Sequence, residues 1–320
     1  MRVEVWSDVV CPWCYVGKRR LETALERFEH RDQVEVVWRS FQLDPTAPEG
    51  ETHPTLPALA AKYGVPAEQM RENMRGLEEL AAAEGLEYHL ADGVSGNTLL
   101  AHELLHLAAE HGNDTRNELK ERLLHAYFEE QRSVFDVDSL VPLAVEVGLD
   151  EAEVREALTD RRFRAAVVED SATAIELGAR GVPFFVVDRK FGAAGAQPAE
   201  QLLQVLERAW RDANPLITVP DADGCTDDSC TVSTGSAPAG TLTFAVTNSG
   251  SKVTEFYLLA ADGLRILGEV ENIGPGLSRS LVVAAPAGSY FTACKPGMIG
   301  DGIRTDYTVT GDAVEIDRDA

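Results

Sequence analysis

Cys11-Pro12-Trp13-Cys14 follows a strand-like opening, Val3-Glu4-Val5-Trp6, and leads into helix-forming sequence. A C-x-x-C set between a strand and a helix reads as a thiol–disulfide site. The chemistry needs that placement. The first cysteine belongs exposed at a helix N-terminus, where free backbone N–H groups and the macrodipole favour its thiolate. The second belongs one turn inward, close enough to attack the mixed disulfide that the first one makes. Pro12 suits a first-turn position, because its missing N–H would have had no intrahelical partner. Two other readings compete: a pair of buried thiols, and half of a zinc site. Zinc wants a second pair, and the next cysteine, Cys225, lies more than 200 residues on among acidic neighbours. Redox chemistry is the reading taken.

A second element supports it. Gly181-Val182-Pro183 stands directly before Phe184-Phe185-Val186-Val187, a short apolar run that reads as a buried strand. Proline is tolerated at the head of a strand and is a candidate for a cis bond there. Residues 2–8 and 34–42 read as strands, and 15–29 carry a helical stripe of Val16, Leu21, Ala24, Leu25 and Phe28. Residues 55–175 are rich in Ala, Leu, Glu and Arg with helical periodicity, broken at Gly64, Gly85, Gly112 and Gly148. Strand character returns over 184–195, and 197–212 form a closing amphipathic helix.

Val5-Trp6-Ser7-Asp8 running into Cys11-Pro12-Trp13-Cys14-Tyr15-Val16-Gly17-Lys18 resembles the DsbA-like oxidoreductases of the FrnE type. So do Arg39-Ser40-Phe41-Gln42-Leu43, Gly96-Asn97-Thr98 and Gly181-Val182-Pro183-Phe184-Phe185. The resemblance covers about residues 1–215 and implies a thioredoxin fold split by a helical insertion, with Pro183 beside the C-x-x-C. Related glutathione-dependent chromene-carboxylate isomerases place a serine where this chain has Cys11, a departure that favours disulfide exchange.

The 320 residues are 44% apolar, enough material for two cores. A net charge of −24 argues against nucleic acid or an anionic membrane surface as partner. There is no run of 18 apolar residues. The first strand begins almost at the N-terminus, so a cytoplasmic protein without a signal peptide is expected.

Composition changes after Trp210. Residues 213–235 read as an acidic, cysteine-containing linker, carrying Cys225 and Cys230 at C-x4-C spacing. Beyond it, six or so β-rich runs between turns suggest a small all-β Greek-key sandwich over 236–320. Thr254-Glu255-Phe256, the run from Gly268 to Gly276 and the run from Thr292 to Met298 resemble the cupredoxin-like domain of EfeO-type iron-uptake proteins. That resemblance, over about 228–312, implies bound copper or iron, with Cys230, Glu255, Glu269, Glu271 and Cys294 as ligands. A blue-copper centre needs two histidines, and residues 126–320 hold none. Thiolates with Met298 would suit Cu(I), and the carboxylates a harder ion. The plain alternative is surface glutamates on a domain without metal.

The expected architecture is therefore an α/β thioredoxin fold with a helical insertion over 1–212, followed by the cupredoxin-like sandwich. If Cys11–Cys14 is one redox couple, either Cys225–Cys230 or Cys230–Cys294 can be a second, leaving one thiol free. Cys225–Cys230 would serve as an accessible auxiliary redox pair, or simply as a linker staple. His102-Glu103-Leu104-Leu105-His106 matches H-E-x-x-H, but such matches arise readily in helices of this composition, and metalloprotease chemistry is set aside.

The expected enzyme is a thiol–disulfide oxidoreductase or isomerase. Cys11 attacks and Cys14 resolves, while Pro12, Trp13, Val182 and Pro183 shape the site and substrate groove. Asp8 reads as a surface carboxylate rather than a proton relay. No cofactor is needed for the exchange, and the substrates are disulfide- or thiol-containing proteins or small molecules. The alternative is a metal-handling protein whose redox domain keeps Cys230 and Cys294 reduced.

Overall fold

The computed structural model describes residues 1–214 and 216–311, with side chains described for all of these except 216–223. The chain divides into two units, Met1–Ala209 and Trp210–Ala320.

The first unit opens with β1 (Arg2–Ser7), α1 (Pro12–Arg27) and β2 (Glu35–Ser40). A small two-stranded antiparallel sheet, β3 (Thr52–Pro54) with β4 (Val94–Gly96), brackets α2 (Thr55–Tyr63) and α3 (Ala67–Ala83). Five helices follow: α4 (Leu99–Glu110), α5 (Asn113–Phe128), α6 (Val137–Glu146), α7 (Glu151–Thr159) and α8 (Arg164–Glu176). The chain then returns to β5 (Phe184–Val187) and β6 (Phe191–Ala194) before α9 (Ala199–Ala213).

The main sheet has the order β2-β1-β5-β6, with β1 parallel to β2 and antiparallel to β5. β1 is therefore a central strand, and Val3 to Ser7 are all buried, as a strand covered on both faces requires. The expected strand over 184–195 is two strands. Asp188 and Arg189, both at positive φ, turn the chain between them so that Val187 pairs with Phe191.

Helices α4 to α7 share a core with Val9, built from Leu104, Leu107, Leu119, Leu123, Leu140 and Val154 among others. Polar anchors join this insertion to the sheet. Asp170 on α8 accepts the Ser40 N–H at 2.9 Å and faces Arg39 and His106, while its carbonyl accepts the Trp6 indole N–H at 2.8 Å. Asn97, just before α4, takes hydrogen bonds from Gln42 and the Leu99 N–H and donates to the Ala47 carbonyl.

The second unit comprises β7 (Leu216–Cys225), β8 (Cys230–Thr231), β9 (Ser236–Pro238), β10 (Gly240–Asn248), β11 (Thr254–Ala260), β12 (Ile266–Ile273), β13 (Ser278–Ala285), β14 (Gly288–Cys294) and β15 (Ile303–Thr310). They form two sheets, β13-β10-β7-β8 and β12-β11-β14-β15-β9. Leu242 and Phe244 from the first meet Phe256, Leu258 and Tyr307 from the second in one core. Phe244 lies 5.5 Å from Phe256 and 5.3 Å from Tyr307 between ring centroids.

The segment expected to be a linker is part of this sandwich. β7 pairs in parallel with β10, from Leu216 opposite Thr241 to Cys225 opposite Asn248. Backbone pairing with β10 carries this strand despite its Asp, Gly and Pro content, which gives no alternating pattern to read. The last part of the expected second domain, 312–320, lies outside the described residues.

Candidate functional site

Cys11 is the N-cap of α1, in extended conformation, with Pro12 at the first helical position. Cys14 lies one turn on, and its N–H donates to the Cys11 carbonyl at 2.9 Å. Both are thiols. The Val182–Pro183 peptide is cis, and the Val182 carbonyl faces Cys11 Sγ at 3.6 Å. Gly17 brings Pro183 this close: a Cβ there would stand 2.8 Å from Pro183 Cγ and 3.3 Å from Phe185 Cζ. Tyr88 donates its hydroxyl to the Pro12 carbonyl at 2.8 Å. Trp13 stays 42% exposed. Cys11, expected to be open to solvent, is only 4% exposed, with the Val182 carbonyl against its sulfur.

Under the dithiol lies a charged cluster that contradicts one expectation. Asp8 is no surface carboxylate: it is 1% exposed, accepts the Leu43 N–H at 2.8 Å and faces His102 Nε2 at 3.1 Å. Burial works against its charge, but the His102 and Leu43 bonds and the Lys120 ammonium outweigh it, holding Asp8 below the usual carboxylate range. Burial lowers His102, so a neutral imidazole donates from Nε2 to an ionised carboxylate.

Lys120 on α5 is also buried, with Nζ 5.7 Å from the centre of the Trp38 ring. Burial pulls its ammonium down to about 8, against the attraction of Cys14, Asp8 and Cys11. Cys14 is pushed well above the usual thiol range, first by burial and then by Cys11, while Lys120 pulls the other way. The second thiol thus resists ionisation even with the Lys120 ammonium nearby. Nothing in the local sequence marks Lys120, since a lysine in a helix reads as a solvated charge.

The H-E-x-x-H residues do not converge on a metal. His102 faces Asp8, His106 faces Asp170, and Glu103 pairs with Arg161 at 2.8 Å. His102 belongs instead to the cluster below the dithiol, a role its motif conceals.

In the second unit the pairing differs from both expected alternatives. Cys225 is bonded to Cys294, and Cys230 is a free thiol. Cys225 and Cys230 face each other across β7 and β8 in the core, so neither forms an accessible linker pair. The five expected metal ligands do not gather. Cys230 and Cys294 point into the core with Phe256, whereas Glu255 bonds the Tyr257 hydroxyl on the other face of β11. Glu269 pairs in register with Tyr257, and both Glu269 and Glu271 are exposed. A single thiolate–carboxylate site does not fit this donor set, and Met298 is itself 44% exposed.

A thioredoxin fold with a dithiol at a helix N-terminus and a proline loop against it defines a thiol–disulfide class of protein. The chain belongs to the DSBA-like thioredoxin domain family, which matches residues 2–207. The uncharacterized Bacillus subtilis (strain 168) protein YwbO is 31% identical over 209 residues, 63% of this chain and 96% of YwbO. The crystal structure of a probable DsbA oxidoreductase, SCO1869 from Streptomyces coelicolor, is 47% identical, with a TM-score of 0.64 over 73% of this chain and all of that one.

Proposed function

We propose that the chain is a thiol–disulfide oxidoreductase of the FrnE type, working through Cys11 and Cys14 on disulfides of proteins or small molecules. The observation that carries this is Cys11 capping α1 with the Val182–Pro183 loop against its sulfur. The Cys11 thiolate attacks one sulfur of the substrate disulfide, forming a mixed disulfide and expelling the first substrate thiolate. Cys14 then attacks Cys11 Sγ, closing Cys11–Cys14 and expelling the second thiolate. Two electrons pass from the dithiol to the substrate, and the reverse sequence oxidises a substrate dithiol.

Lys120 lowers the cost of ionising Cys14 when the resolving attack is due. A cavity of about 540 Å³ beside the site, lined by Val10, Asp44, Glu51, His53, Lys62 and Tyr127 among others, offers both charges to a peptide or small disulfide. The second unit we read as a cupredoxin-like sandwich. Its support is the two-sheet core with parallel pairing at β7–β10 and β9–β15.

Two variants test the assignment. Cys11→Ser is expected to abolish disulfide exchange, and Cys14→Ser to accumulate a mixed disulfide on Cys11. Full exchange by Cys11→Ser would overturn it.

A further inference from the structure

Three sulfurs meet in the core of the second unit, far along the chain from the C-x-x-C. Cys225, Cys230 and Cys294 place their Sγ atoms all within 4.8 Å of one another, and all three are buried. One disulfide and one thiol result, with the Cys230 thiol facing Cys294 Sγ. The backbone explains the meeting. Cys225 and Cys230 stand opposite each other on the antiparallel β7–β8 pair, and Cys294 ends β14 on the other sheet. A Thr226–Ser229 backbone bond of 3.0 Å closes the β7–β8 turn, and the Thr305 hydroxyl holds the Cys230 carbonyl at 2.5 Å.

We propose that these residues form a second thiol–disulfide exchange site, in which Cys225 and Cys230 compete for Cys294 and the unit alternates between two disulfide isomers. The Cys230 thiolate attacks Cys294 Sγ. The Cys230–Cys294 bond forms as Cys225–Cys294 breaks, and the electron pair leaves on Cys225, which takes up the proton that Cys230 released. Nothing is oxidised or reduced overall, so no outside reagent is required.

Two features make the isomers close in stability. Either one ties the same hairpin to the same end of β14, and the two bonds close chain separations of 69 and 64 residues. Burial excludes protein thiols, which keeps the reaction internal. It also sets the pace, because the thiolate is the nucleophile. Burial pushes the Cys230 thiol up to about 12. The groups facing its sulfur are the Thr292 hydroxyl and the Cys294 backbone, and no charged side chain among the described residues offsets the burial.

The test uses the full chain as Cys11→Ser/Cys14→Ser, which removes the first site and keeps the two proposals separable. The protein is held at pH 7 or pH 9, quenched in acid at intervals, alkylated with a maleimide and mapped by mass spectrometry without reductant. Both Cys225–Cys294 and Cys230–Cys294 peptides are expected, interconverting about a hundredfold faster at pH 9. Cys225→Ser, oxidised in a glutathione buffer, is expected to close Cys230–Cys294. If Cys225→Ser fails to fold, the mapping of the chain with all three cysteines decides. Cys225–Cys294 alone at both pH values, with Cys230 always alkylated, would overturn the proposal.

Discussion

Lys120 is the residue at which stability and function conflict most openly. It is buried, and burial lowers it from 10.5 to about 8. Below pH 8 the folded protein carries a buried ammonium at a cost. Between about 8 and 10.5 the folded chain has released this proton while the unfolded chain keeps it, so stability rises with pH across that window. Lys120→Met should therefore unfold at higher denaturant concentration at pH 7, by up to about 3 kcal/mol, an advantage that fades towards pH 10.5. The same variant should resolve mixed disulfides more slowly, because Cys14 loses the cation that eases its ionisation. Stopped-flow measurement of the second step checks this. His102→Ala would leave buried Asp8 without one donor and should cost about 1–3 kcal/mol, read in urea. Added chelator should change neither the wild type nor the variant, since His102 and His106 face separate carboxylates.

At the scale of elements, the α1–Pro183 contact and the α1–α5 contact set the site. Gly17→Ala would drive a methyl into Pro183 and Phe185, costing about 1–3 kcal/mol and slowing the reaction of Cys11 with a disulfide. Glu121 on α5 receives Lys18, Arg19 and the Tyr15 hydroxyl from α1. Burial opposes its charge, but Arg19 and Lys18 prevail and hold Glu121 at about 2. Its contribution is present above the ordinary carboxylate range and is lost as pH falls through that range towards 2. Glu121→Gln should flatten the acid unfolding curve there, measured by circular dichroism. The main elements of the first unit were legible because C-x-x-C, the Pro183 strand and the helical stripes each point to one local structure, whereas the short β3–β4 pair and the turn between β5 and β6 were not. β7 was not, since a parallel strand is fixed by its partner β10 and its own polar composition reads as a loop. The cluster at Asp8 was hidden for a related reason: a buried carboxylate, histidine and lysine meet only after β1, α4 and α5 have packed.

For the whole molecule, there is a dithiol in one unit and a disulfide beside a thiol in the other. No helix among the described residues is long and apolar enough to cross a membrane. Reducing Cys225–Cys294 removes a cross-link spanning 69 residues, which by the chain-entropy estimate lowers the second unit's stability by about 4 kcal/mol. Differential scanning calorimetry with and without dithiothreitol should show one transition moving and the transition of the first unit staying in place. The most direct test of the central claim is redox titration of the full chain in glutathione buffers, with alkylation and mass spectrometry of each cysteine. Cys11 and Cys14 should lose their alkylation together, reversibly, with a single two-electron midpoint and an intramolecular Cys11–Cys14 peptide. If the two remain separately alkylated at every poise, the site is not a thiol–disulfide couple and the proposed function is wrong.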